Sequence, residues 1–286
     1  MKIVLKAFFR ELYKKSIDED IFSSAAQVAF YFSFAIFPLL LFLVTLLGFV
    51  LGSANDFRSD LFFYLASIMP ISAFELVRTT MEEVTASSSG GKLTIGLLVA
   101  LWSASAGVDS LRTALNGVYG YKEKRSWFLT KAISVTFTFV LAILVIFALG
   151  GVFYGWQGIS HLFGLVGFDI TSPYILVALQ WLITFALLLV VFEILYNILP
   201  SRKPFRWYWI TPGAFVGIIL WLLLSNGLRT YLYYWNTYDR FYGSLGAVII
   251  LMLWLYLTSL VILIGGMINS IIDGIKDGSL IGTKEP

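Results

Sequence analysis

Six stretches of this chain are apolar for long enough to cross a lipid bilayer as helices: about 25–51, 93–112, 130–154, 173–199, 209–235 and 244–271. A spanning helix needs roughly 20 mostly apolar residues. Only helices or closed barrels satisfy every backbone group in hydrocarbon, and barrel strands are short and alternating, so uninterrupted runs mean helices. Charge content removes the soluble alternative. Only 13% of the 286 residues are charged and 59% are hydrophobic, whereas a soluble domain carries about 25% charged residues. The expected fold is an all-α membrane protein, a polytopic bundle of about six transmembrane helices. Residues 1–24 form an N-terminal segment, 25–272 the transmembrane domain, and 273–286 a C-terminal tail. The mixed charge of 1–24, and the length of the apolar run after it, argue against a cleavable signal peptide.

Lys and Arg alternate between the two sides of such a bundle. Lys2, Lys6, Arg10, Lys14 and Lys15 precede the first span, and Arg112, Lys122, Lys124, Arg125 and Lys131 lie around the second connection. Arg202, Lys203 and Arg206 lie in the fourth connection, and Lys276 and Lys284 in the tail. The opposite side holds only Arg58, Arg78, Lys92 and Arg240. The positive-inside rule then puts both termini in the cytoplasm. The first outer connection, 53–91, carries Leu61, Leu65, Ile68 and Met69, then Phe74, Val77, Met81 and Val84 after Pro70. That spacing predicts a short amphipathic helical hairpin.

Small residues four apart predict close helix contacts. Ala25, Ala29 and Ser33 form one such face, Gly96, Ala100 and Ala104 another, and Gly151/Gly155 and Gly213/Gly217 are GxxxG pairs. These faces serve packing within one chain or between copies, so a homo-oligomer is open. Trp207, Tyr208, Trp209, Tyr231, Tyr233, Tyr234 and Trp235 bracket the fifth span as an aromatic belt.

Ionisable residues inside spans are costly and are functional suspects. Glu193 lies six residues before Pro200, about 9 Å along the helix from its inner end. Asp109 and Arg112, three apart, share a helix face and can pair. Gln27 and Asn197 are expected at similar depth, so these residues would line a polar recess open to the cytoplasm. In the plainer alternative Asp109 and Arg112 are an interfacial pair, and Glu193 snorkels or pairs with Arg202. Asn226, Arg229, Asp239 and Arg240 form an outer polar group, where Arg229 would either hold an anionic headgroup or anchor the helix. Pro38, near the middle of the first span, is a hinge candidate.

Nuclease chemistry needs histidines or clustered carboxylates. The single histidine, His161, falls in an outer connection. No Walker loop or HExxH helix occurs, and the absence of cysteine removes thiolate sites. No catalytic residue, metal or other cofactor, and no nucleic-acid partner, is expected.

Several motifs resemble the YihY/BrkB family of bacterial inner-membrane proteins. They are Ala29-Phe30-Tyr31 with Phe37-Pro38-Leu39-Leu40, Leu101-Trp102-Ser103-Ala104-Ser105 with Leu111-Arg112 and Ala114-Leu115-Asn116, and Tyr196, Leu199-Pro200 and Pro212-Gly213-Ala214. The nearest match is Tyr242-Gly243-Ser244-Leu245-Gly246-Ala247, continuing to Leu253-Trp254-Leu255-Tyr256. The resemblance implies a six-helix inner-membrane protein. It also brings a former ribonuclease label, which these residues do not support, and links to serum resistance and to lipopolysaccharide or lipid export. The combined expectation is a transporter or flippase-like protein whose partners are membrane lipids, with an anionic lipid or glycolipid as substrate. A non-catalytic scaffold for envelope-building partners is the alternative, and a lipid-modifying enzyme a weaker third.

Overall fold

The computed structural model describes residues 2–51, 63, 78, 90–144, 173–202, 207–234 and 245–276. Within them the chain is entirely helical apart from connections. The helices are α1 (Lys2–Asp18), α2 (Ile21–Leu51), α3 (Gly90–Tyr119), α4 (Trp127–Leu144), α5 (Pro173–Ile198), α6 (Pro212–Tyr234) and α7 (Leu245–Lys276). Four windows among the described residues are long and apolar enough to cross a membrane: Trp127–Leu144, Trp181–Ile198, Pro212–Tyr234 and Val248–Ile275. Ile21–Ile36 is a shorter apolar stretch. This is an α-helical membrane protein.

The expected hairpin over 53–91 lies outside the described residues except for Phe63 and Arg78, both helical and exposed, and for Gly90 and Gly91, which belong to the start of α3. Gly151/Gly155, His161, Asp239 and Arg240 also lie outside them.

Local sequence explains where the helices stop. Gly120 takes a left-handed φ of 69°, and the Tyr121 amide donates back to the Asn116 carbonyl at 2.8 Å. This is the glycine cap that satisfies a helix's last carbonyls. Asp20, with φ 43°, makes the turn between α1 and α2. Asp is one of the few side chains that tolerate that region. Helix α2 runs unbroken through Pro38, so the hinge candidate sits inside a continuous helix.

Helix α7 is the axis of the bundle, packing against α1, α2, α3 and α6. Its glycines make the close approach possible. A Cβ on Gly213 would fall on the Gly265 carbonyl oxygen, and one on Gly265 would fall on the Tyr196 hydroxyl. Further along the antiparallel α6–α7 pair, Trp221 Nε1 donates to Thr258 Oγ1 at 3.2 Å and Trp254 Nε1 to Ser225 Oγ at 3.3 Å. Among lipid tails there is little hydrophobic drive between helices, so such fits and interhelical bonds carry the association. Helices α2 and α3 form the other extensive pair, with Gly107 facing Phe32 and Ala35. Ala25, Ala29 and Ala104 are buried as the small-residue spacing predicted. Elsewhere the outer surface is apolar, with Trp181, Leu182, Ile183 and Leu223 exposed, as expected when the solvent is lipid.

Candidate functional site

Polar chemistry gathers at the bundle end that holds the α3–α4 loop, the α5–α6 connection and the last turns of α7. Two adjoining networks meet there.

The first surrounds Glu193. This carboxylate is 4% exposed on the inward side of α5. Its Oε1 accepts from the Thr211 amide at 2.5 Å and from Thr211 Oγ1 at 3.0 Å. Thr211 is the N-cap of α6. Its hydroxyl oxygen accepts from the Ala214 amide at 3.3 Å and from Asn269 Nδ2 of α7 at 3.1 Å. Pro212 occupies the first helical position, where a missing N–H costs nothing. Gly213 N donates to Asn269 Oδ1 at 2.7 Å. The first turn of α6 is thus satisfied donor by donor, with a negative carboxylate at the positive end of the helix dipole. Asn197, one turn beyond Glu193, accepts from the Tyr208 amide at 2.9 Å. Its Nδ2 donates to the Tyr208 carbonyl at 3.0 Å and reaches Glu193 Oε2 at 3.3 Å.

A small pocket of about 40 Å³ opens beside this network. Its lining includes Arg202, which pairs with Asp273 at 2.8 Å and lies over the Tyr208 ring, 4.8 Å from the centroid. Tyr119 and Tyr196 line its wall. Burial pushes the Tyr119 hydroxyl well above its ordinary range.

The second network is a chain of charges. Lys131 reaches Asp109 at 2.9 Å, Asp109 reaches Arg112 at 3.6 Å, and Arg112 reaches Glu123 at 2.6 Å. Glu123 in turn holds Arg125 at 2.8 Å. Asp109 also accepts from Ser134 Oγ at 2.5 Å. Arg125 Nη2 donates to the Leu199 carbonyl at 2.8 Å, closing off the end of α5. Asn116 ties this chain of charges to the α5–α6 connection, donating to Glu123 at 3.2 Å and accepting from the Ser201 amide at 2.7 Å. The Arg125 side-chain bonds, above all, hold the Glu123 carboxyl well below the usual carboxylate range.

The expected residues divide accordingly. Glu193 and Asn197 share one network, while Asp109 and Arg112 share the next. The Asp109–Arg112 pair exists, but each partner has a closer one, Lys131 and Glu123. Glu193 neither snorkels nor meets Arg202, which is taken by Asp273. Gln27 departs from the expected recess, because helix rotation leaves it on the exposed side of α2. Arg229 is exposed at the far end of α6, 18 residues from Thr211 and so about 27 Å away, close to a bilayer's thickness. Thr211, Asn269, Asp273 and Glu123 were not anticipated. The Thr-Pro start of α6 is a readable N-cap signal, and Asn269 is a polar residue inside an apolar helix.

The comparisons with known proteins agree with this architecture. The profile described as Virulence factor BrkB matches residues 12–281. The chain belongs to the BrkB family. A ribonuclease-like protein of Bacillus subtilis, YfkH, is 30% identical over 266 residues, which is 93% of this chain and 95% of that protein. A UPF0761 membrane protein of Xanthomonas oryzae is 25% identical over 92% of this chain, which spans only 60% of that relative. A UPF0761 membrane protein of Alteromonas mediterranea is 25% identical over 91% of this chain and 86% of its own length. No solved structure matches.

Proposed function

We propose that this BrkB-family chain is a transporter or flippase-like protein of the bacterial inner membrane, moving a lipidic or amphipathic substrate, with its basic end in the cytoplasm. The observation that carries this reading is the buried Glu193 carboxylate beside a pocket whose lining includes the Arg202–Asp273 pair. A pocket of about 40 Å³ has room for a few waters and none for a headgroup. The structure is therefore read as a closed inner state. Entry would require the Arg202–Asp273 pair to part and the charge chain from Lys131 to Arg125 to rearrange as the inner gate. Glu193 would couple the movement, because neutralising it weakens the hold on the α6 start and frees α6 to shift over its glycine contact with α7. Arg229, at the opposite end of α6, would meet the headgroup on the outer side.

The test is substrate movement in vesicles. Lipids that co-purify with the protein in native nanodiscs are identified first, then followed across vesicles holding wild type, Glu193→Gln or Arg229→Ala. Each variant should slow movement at least severalfold. Unchanged movement in both rejects the assignment.

A scaffold reading is favoured by one feature, the completeness of the bonding around Glu193, which needs no ligand. It predicts that crosslinking in cells recovers one dominant envelope protein, and that no lipid is enriched in the nanodiscs.

A further inference from the structure

The N-terminal helix α1 is held by one side only. Phe8 and Leu12 pack against the core, and Lys15 Nζ donates to Ser270 Oγ of α7 at 2.6 Å. The opposite side carries an apolar stripe at four-residue spacing: Phe9 is 59% exposed, Tyr13 70% and Ile17 57%. Three large apolar side chains in a row on a docked helix are not an accident of surface composition. They need a cover. Beside this stripe run Arg10 and Lys14, both exposed, in register with Lys6 and Lys2 on the preceding turns. An apolar stripe flanked by a basic one is the pattern of a helix lying in the plane of a membrane surface, its apolar side chains sunk into the headgroup–acyl boundary.

We infer that α1 is an interfacial helix that seats the basic end of the bundle on an anionic lipid surface through Phe9, Tyr13 and Ile17, with Arg10 and Lys14 on the headgroups. The bond to Ser270 and the packing against α7 fix its orientation. Charge complementarity selects the occupant. Each Lys or Arg near such a surface raises the preference for anionic over neutral lipid about fivefold, which a purely apolar partner protein would not exploit. This inference stands apart from any transport role.

The chain has no cysteine, so single labels report cleanly. Full-length Tyr13→Cys and Asp18→Cys, each carrying an environment-sensitive fluorophore, are reconstituted into vesicles of phosphatidylcholine with or without phosphatidylglycerol. The label at 13 should be quenched by lipid-borne spin labels and shielded from aqueous iodide, while the label at 18 should be open to iodide. Spin-labelled phosphatidylglycerol should quench position 13 more than spin-labelled phosphatidylcholine does. Arg10→Gln with Lys14→Gln should abolish that difference without changing the depth. Tyr13 and Asp18 are both exposed on α1, so neither label should disturb folding, and a matching size-exclusion profile checks this. Equal iodide access at 13 and 18 overturns the inference. A label at 13 shielded from iodide and from lipid quenchers alike also overturns it, pointing to a second copy of the chain over the stripe.

Discussion

Substituting Glu193 separates the part of this site that holds the fold from the part assigned to movement. In Glu193→Ala the Thr211 amide loses its acceptor at 2.5 Å and the Thr211 hydroxyl its acceptor at 3.0 Å. An orphaned buried donor costs about 1–3 kcal/mol. Thr211 Oγ can turn elsewhere, but its amide cannot. Loss of the negative charge at the α6 start removes up to about 2 kcal/mol more. A cost of about 4 kcal/mol follows for Ala. In Glu193→Gln the amide oxygen still accepts from Thr211. What changes is the charge assistance, with an amide placed against Asn197 Nδ2, while a buried charge is also removed. About 1–2 kcal/mol is expected. Unfolding by SDS titration in mixed micelles, followed by tryptophan fluorescence, ranks the three proteins, and lipid movement in vesicles is measured on the Gln variant. A coupling role requires Gln to fold and fail to move substrate. If Gln is as destabilised as Ala, the hydrogen-bond argument is wrong. If Gln folds and moves substrate normally, Glu193 is a helix cap and nothing more.

Three further outcomes follow from the same geometry. Gly213→Ala and Gly227→Ala are one chemical change on one helix, yet a Cβ at 213 collides with the Gly265 backbone while at 227 it meets nothing within 4 Å. The first should cost about 2 kcal/mol or more, and the second should be neutral or gain up to about 1 kcal/mol of helix propensity; equal SDS midpoints would contradict the close α6–α7 crossing. The Glu123 carboxyl is held below its ordinary value of 4.5, so the folded state binds its proton less tightly than the unfolded state does. Its contribution is therefore complete above that value and fades as pH falls below it. Melting temperature should drop on acidification through that range in wild type, and Glu123→Gln should be lower at neutral pH but flatter; parallel curves would rule the clamp out. Asp109→Asn leaves the Lys131 ammonium without its counter-charge and should cost about 1–3 kcal/mol. Adding Lys131→Met should recover part of that loss in a double-mutant cycle, and strict additivity would show that the pair is not coupled.

The spans were legible because lipid imposes a length and a composition that any reader of the chain can measure. The same held for the grouping of basic segments. Lys15, Arg125, Arg202 and the end of α7, assigned to one side from charge counting alone, are bonded into one end of the bundle. Partner choice was not legible, since it depends on helix rotation and on turns. Arg112 was given its neighbour at i−3, but the Gly120 turn folds Glu123 back to within 2.6 Å. Arg202 was offered to Glu193 nine residues away, whereas the docking of α7 brings Asp273 to it across 71 residues. Gln27 is exposed on α2, an azimuth that an almost uniformly apolar helix does not reveal. The reversal at Glu193 is the most instructive. A carboxylate inside an apolar run invites a search for a cation, and none of its bonds comes from one. Its partners are the amide and hydroxyl of a helix start 18 residues later. A half-charge from a helix end can stand where a lysine would, and unlike a lysine it moves when the helix moves. That difference makes a capped carboxylate a workable switch: whatever neutralises Glu193 loosens α6 itself, at the point where glycine backbones of α6 and α7 already touch.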